Sequence, residues 1–187
     1  MANILIVDDQ QMVADLYADM LKPEHNVTVA YSGEEALEKL KLDETVEIVF
    51  LDRMMPGMSG DELLEIIRAD PKLKNLYVVL VTAVKPDVDT LSMGFNDYLV
   101  KPVKGDELRA SVERGAARKN YDSYLNEYFE VINKLSNVSQ TVEGHILRRN
   151  PEYKRLSNRA KELKKEIDRL RDELVELTER HNRLLTV

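Results

Sequence analysis

At 187 residues the chain has room for one domain of ordinary size with an appendage, or for two small domains. Hydrophobic residues make up 43% of it, charged residues 33% and aromatics 6%, which excludes a disordered chain and suggests a packed core beside a long solvated helix. Cysteine is absent, excluding disulfides and thiolate metal sites, and the net charge of −7 is unevenly spread: residues 1–103 carry 9 Lys+Arg against 19 Asp+Glu, residues 104–187 carry 18 against 15.

Met1-Ala2-Asn3 leads into an apolar run without a basic leader, and no stretch approaches the ~20 apolar residues of a membrane span. A soluble cytoplasmic protein with no membrane partner is expected. Up to about residue 118, short apolar runs alternate with amphipathic segments, the pattern of a parallel sheet covered by helices on both faces. Strands are expected at 3–7, 27–31, 47–51, 77–82 and 97–100, with helices at 11–21, 33–41, 60–69, 86–93 and 105–117. The fold class is therefore α/β, a five-stranded doubly wound parallel sheet.

Strand signals stop beyond residue 118. Tyr153, Leu156, Ala160, Leu163, Ile167, Leu170, Leu174, Leu177, His181 and Leu184 alternate spacings of three and four, the a and d positions of a coiled-coil seam. Tyr121, Leu125, Tyr128, Ile132, Leu135, Val142 and Ile146 keep a similar rhythm, interrupted at Ser139. Asn150-Pro151 supplies an N-cap and a proline at the first helical position. An all-α helical hairpin, 119–148 against 151–186, buries both stripes, and pairing of two chains along the coil is the competing arrangement. The division is thus 1–118 and 119–187, with Gly115 as the soft point between them.

Chemistry concentrates at the strand ends. Asp8 and Asp9 follow the first strand, Asp52 the third, Thr82 the fourth and Lys101-Pro102 the fifth. Carboxyl ends of neighbouring parallel strands converge on one crevice, so these residues form an acidic pocket with one ammonium beside it, suited to a divalent metal and a phosphoryl group. The ordered set Val7-Asp8-Asp9, then Leu51-Asp52-Arg53-Met54-Met55-Pro56-Gly57, then Val81-Thr82-Ala83, then Asp97-Tyr98-Leu99-Val100-Lys101-Pro102 resembles the flavodoxin-like (CheY-like) receiver domain of two-component response regulators.

The resemblance implies that Asp52 accepts a phosphoryl group from a histidine kinase, with Mg²⁺ held by Asp9, Asp52 and the backbone carbonyl of Met54 and with Asp8 acting through water or orientation. Lys101 and Thr82 would contact the phosphoryl oxygens, Pro102 would aim Lys101 through a cis bond, and Tyr98 would rotate inward as the switch. It implies a signalling phosphoprotein rather than an enzyme, apart from transfer to its own aspartate. An aspartate-based phosphatase is a different class, and it would need nucleophile and acid two residues apart, whereas Asp8 and Asp9 are adjacent. The segment 83–96 is about one turn shorter than a usual receiver's fourth helix, which weakens any dimer geometry built on that helix.

The tail is similar to the archaeal HalX helical domain, through Met93 to Val103 and Tyr124-Leu125-Asn126-Glu127-Tyr128-Phe129. With 14 lysines, a less saline archaeon suits the chain better than a salt-in halophile. A homodimer through helix 105–117 and the coil, and a downstream protein partner for the helical arm, are expected. Residues 148–165 hold Arg148, Arg149, Lys154, Arg155, Arg159, Lys161, Lys164 and Lys165 against Glu152 and Glu162. Solvated flanks of a coil account for this run. A DNA-binding transcriptional regulator using the basic hairpin is the alternative, without a helix-turn-helix spacing to favour it.

Overall fold

The computed structural model describes residues 1–84 and 88–185, apart from the side chains of residues 89, 91 and 181–185. In chain order the elements are β1 (Asn3–Val7), α1 (Gln11–Leu21), β2 (Asn26–Ala30), α2 (Gly33–Leu42), β3 (Ile48–Asp52), α3 (Gly60–Ala69), β4 (Tyr77–Thr82), a 3₁₀ turn (Asp89–Ser92), β5 (Asp97–Val100), α4 (Gly105–Ser139), α5 (Gly144–Leu147) and α6 (Pro151–Leu185). The chain divides into two compact units, Met1–Gly115 and Ala116–Val187, and α4 supplies residues to both.

In the first unit the sheet order is β2-β1-β3-β4-β5, all parallel. Each inner strand is apolar on both sides, as a sheet covered on both faces requires. The two-residue alternation sorts its side chains. Ile4, Ile6, Ile48, Phe50, Val79, Val81 and Leu99 join Ala14, Tyr17, Ala18 and Leu21 of α1 and Leu108 and Val112 of α4 in one core. Leu5, Val7, Val49, Leu51, Val78 and Leu80 join Ala36 and Leu40 of α2 and Leu63, Leu64 and Ile67 of α3 in the other.

Ser59 starts α3 with a capping box: its hydroxyl accepts from the Glu62 N–H, and the Glu62 carboxylate accepts from the Ser59 N–H. The next residue, Gly60, is there because of its neighbour. A Cβ at that position would lie 2.1 Å from the Asp52 carbonyl oxygen and 2.8 Å from the Arg53 Cα, so only glycine lets α3 begin against the end of β3.

The helix expected at 86–93 falls partly outside the described residues, and its described part is the single 3₁₀ turn Asp89–Ser92. Arg68 organises the segment that leads from this turn into β5. Its guanidinium donates to the carbonyls of Gly94, Lys74 and Leu76 and to Asn96 Oδ1 at 2.5–3.0 Å, while Asn96 Oδ1 also accepts from the Val78 N–H at 2.8 Å. Met93 and Phe95 pack onto the second core, so this segment is anchored without a full helix.

Gly115, expected as a soft point, sits inside the unbroken α4. Its missing side chain serves packing, since a Cβ would lie 2.9 Å from Ile48 Cδ1 and 3.0 Å from Tyr77 Cδ1. The helix expected to reach residue 148 ends at Ser139, and α5 forms a separate short turn after it.

The second unit is a helical hairpin. Val131, Ala160 and Leu163 are buried, with Tyr124, Tyr128, Ile132, Leu135 and Leu156 packed around them. Arg159 donates two hydrogen bonds across the pair to Glu127, at 2.7 and 2.8 Å. Asn150 caps α6, its Oδ1 accepting from the Tyr153 N–H at 3.0 Å. Ile146, expected in the seam, is 52% exposed and Leu147 is buried in its place, because the break after Ser139 resets the helical phase. The seam positions His181 and Leu184 lie outside the described side chains.

Gly60→Ala is expected to destabilise the first unit by about 1–3 kcal/mol, since backbone atoms must move to admit the methyl group. Leu163→Ala, which empties the centre of the hairpin core, is expected to cost about 2–4 kcal/mol. Urea unfolding followed by circular dichroism checks both, and an unchanged midpoint for either variant would contradict this packing.

Candidate functional site

The chain leaves β1 toward β2 on one side and reaches β3 on the other, so the strand order reverses beside the carboxyl ends of β1 and β3. Open parallel sheets hold ligands at such a point. Ile4 and Ile6 share a core with Ile48, Phe50 and Leu99. Following the same two-residue alternation to the last residue of β3 and to the residue just past β1 and β5 brings Asp52, Asp8 and Lys101 to one side of the sheet.

There the three meet. Lys101 Nζ lies 2.6 Å from Asp8 Oδ2 and 3.0 Å from Asp52 Oδ2, with side-chain exposures of 15% for Lys101, 3% for Asp8 and 5% for Asp52. The Gln10 N–H donates to Asp8 Oδ1 at 3.0 Å. Asp9 completes the cluster: one carboxylate oxygen from each of Asp8, Asp9 and Asp52 lies within 4.8 Å of the others. Asp9 Oδ1 is buried with no hydrogen-bond partner among the described residues. A buried carboxylate oxygen without a donor is costly, and a hard divalent cation is the ligand that would relieve it.

Electrostatics sharpen the picture. Burial pushes the Asp52 carboxyl above its ordinary pKa, and the hydrogen bond and charge of Lys101 only partly oppose this, while Asp8 adds repulsion. Burial alone would lower Lys101, but the hydrogen bonds and charges of Asp8 and Asp52 outweigh it and hold the ammonium above its usual value. Lys101 therefore stays charged. Tyr17, 5% exposed, is raised by burial first and lies within the electrostatic reach of Lys101, Asp8 and Asp52.

Around this centre, Met54 is 69% exposed and its N–H lies 3.5 Å from Asp52 Oδ1, a weak contact. Arg53 grips Asp61 with two hydrogen bonds of 2.9 Å each, tying the residue after Asp52 to the first turn of α3. The Lys101–Pro102 peptide is cis. Thr82 is fully buried, and its Oγ1 accepts from the Val84 N–H at 3.2 Å. Tyr98 is half-buried, packs edge-on against Phe95 and donates its hydroxyl proton to the Val84 carbonyl at 2.7 Å.

Val84 thus joins Thr82 to Tyr98 through its own backbone. Sequence reading did not single it out, because a backbone relay carries no residue-type signal. Arg53 and Tyr17 were missed for a related reason: each reads as an ordinary surface cation or core aromatic until the fold brings Asp61 to Arg53 and Tyr17 near the acids. Of the basic residues in the hairpin, Arg155 is paired with Glu152 and Arg159 with Glu127, whereas Arg148, Arg149, Lys154 and Lys161 are exposed.

The response regulator receiver domain profile matches residues 4–113. The chain belongs to the response regulator receiver family. In this response regulator the receiver domain is followed by a HalX domain matching residues 117–185. A Haloferax volcanii protein named as a candidate transcriptional regulator is 43% identical over 127 residues, covering 67% of this chain and 21% of the relative. The sensory transduction protein RegX3 of Mycolicibacterium smegmatis is 32% identical over 156 residues, covering 81% of this chain and 66% of the relative. The chain thus spans from a fifth to two thirds of the length of these relatives. Among solved structures, the Thermotoga maritima response regulator TrrA, in complex with Mg²⁺ and BeF, superposes with a TM-score of 0.54 at 33% identity, covering 62% of this chain and 99% of that one.

Because Asp52 is buried among like charges, Asp52→Asn is expected to stabilise the metal-free protein by about 1 kcal/mol. Calorimetry should show this as a rise of roughly 3–5 °C in the receiver transition. A drop in that transition would mean that the carboxylate is better solvated than its surroundings imply.

Proposed function

We propose that the chain is a two-component signalling module in which Asp52 accepts a phosphoryl group from a partner histidine kinase. The observation that carries this reading is the Lys101 ammonium shared by Asp8 and Asp52 beside the unpartnered oxygen of Asp9. Asp9, Asp52 and the Met54 carbonyl would hold Mg²⁺, with Asp8 beside them, and an all-oxygen donor set suits that ion. When bound, Mg²⁺ would offset the charge that accumulates as two anions meet. The TrrA relative, with its Mg²⁺ and BeF, supports the same reading.

The residues of the chain then have distinct tasks. An Asp52 oxygen attacks phosphorus, the P–N bond to the kinase imidazole breaks, and an acyl phosphate forms on Asp52. Lys101, already 3.0 Å from Asp52, would follow the transferred phosphoryl oxygen and offset its charge without a large movement. Burial of Asp8 and Asp52 limits access of water to the site. Thr82 would release the Val84 N–H to turn its hydroxyl toward the phosphoryl group. That release frees the Val84 backbone, whose carbonyl holds the Tyr98 hydroxyl, so the change at Thr82 reaches Tyr98 in one step. A covalent phosphate needs only to bias two existing arrangements by a few kcal/mol.

The second unit would transmit the change as an output arm, by a protein partner or by pairing with a second copy, in keeping with the helix α4 that both units share. No helix among the described residues is long and apolar enough to cross a membrane.

Labelled acetyl phosphate tests the reading on the full chain. Wild type is expected to take up label in magnesium buffer and none when the metal is chelated beforehand, Asp52→Asn to take up none, and Lys101→Ala to label about 100-fold more slowly. Equal labelling of wild type and Asp52→Asn would overturn it.

A further inference from the structure

We infer that the basic end of the hairpin in the second unit is a binding surface for the phosphate backbone of duplex nucleic acid. The inference does not depend on phosphorylation of Asp52. Its basis is a contrast within one helix. Over residues 166–179, α6 carries two arginines against six acids, and both are neutralised: Arg169 contacts Glu166 at 2.5 Å and Glu173 at 2.9 Å, Arg171 contacts Asp168 at 3.2 Å and Asp172 at 2.9 Å. That is how the solvated flank of a coiled coil behaves.

Residues 148–165 behave otherwise. They hold eight Lys+Arg against Glu152 and Glu162, and both acids are engaged, Glu152 by Arg155 at 2.6 Å and Glu162 by Arg159 at 3.8 Å. Arg148, Arg149, Lys154, Lys161, Lys164 and Lys165 are all exposed and have no ion pair among the described residues. Six uncompensated cations in eighteen residues repel one another, which a merely soluble surface would have little reason to keep.

Their placement fits a regular polyanion. Lys154, Lys161 and Lys165, spaced by seven and four residues, share the face of α6 opposite the Leu156–Ala160–Leu163 seam. At 1.5 Å per residue they cover about 16 Å, and a duplex presents one charge per about 1.7 Å of its axis. An anionic membrane fits less well, because an interfacial helix inserts an apolar face, and the apolar face of α6 is spent on the hairpin. An acidic protein partner would need an apolar centre to the interface, and the only exposed large apolar side chain in residues 144–165 is Ile146. With phosphates as the contact, the surface should bind duplexes of different sequence alike.

Fluorescence anisotropy of the full chain with a mixed-sequence duplex of about 20 base pairs tests the surface. With four to six phosphates neutralised, the logarithm of affinity should fall against the logarithm of salt with a slope of about −4 to −5, a loss of two to three orders of magnitude between about 50 and 200 mM. Replacing Lys154, Lys161 and Lys165 together by Gln, on an exposed face that leaves folding intact by circular dichroism, should reduce affinity about tenfold or more and the slope by about 3 units. Arg169→Gln with Arg171→Gln, which alters paired cations, should leave binding within about twofold. Absence of binding, equal binding by the triple variant, or stronger capture by polyglutamate or phosphatidylglycerol vesicles than by DNA would each overturn the inference.

Discussion

A single ammonium, Lys101, placed within 3.0 Å of two nearly buried carboxylates, is the contact on which the receiver unit depends. Asp8, Asp9 and Asp52 would repel one another strongly in a water-poor crevice without a cation among them. Lys101 answers two of the three. Asp9 keeps an unanswered oxygen, so the crevice is not a completed salt bridge. The surrounding architecture serves the same crevice: Gly60 yields space behind Asp52, Arg53 grips Asp61 to fix the loop after it, and the order β2-β1-β3-β4-β5 opens the crevice between the first and third strands.

Much of this was legible in the chain. Unbroken apolar runs ending in Asp8-Asp9, Asp52, Thr82 and Lys101 specify buried parallel strands and put the polar residues at their carboxyl ends, since alternation and strand direction are local properties. The features that were not legible depend on contacts between distant residues. Arg68 could not be foreseen as the anchor of Gly94 and Asn96, because nothing in a guanidinium on an amphipathic helix says which carbonyls it will meet. Gly115, expected as a soft point, is a packing contact, as its meaning lies in Ile48 and Tyr77. In the hairpin, the spacing on α6 was sound over Leu156, Ala160 and Leu163, whereas Ile146 was misplaced because a break in a helix resets its phase.

The two units also differ in how they treat charge. The receiver unit gathers acids and satisfies them incompletely at one crevice; the hairpin gathers bases and leaves six of them incompletely satisfied at one end. Farther along α6, by contrast, Arg169 and Arg171 are each paired with neighbouring acids.

The most direct test of the central claim is isothermal titration of MgCl₂ into the full chain. Saturable binding of one Mg²⁺ per chain is predicted, abolished by Asp9→Asn and retained by Asp19→Asn, whose carboxylate pairs with Lys22 on the exposed side of α1. Absence of binding to the wild type, or binding undiminished in Asp9→Asn, would contradict the account.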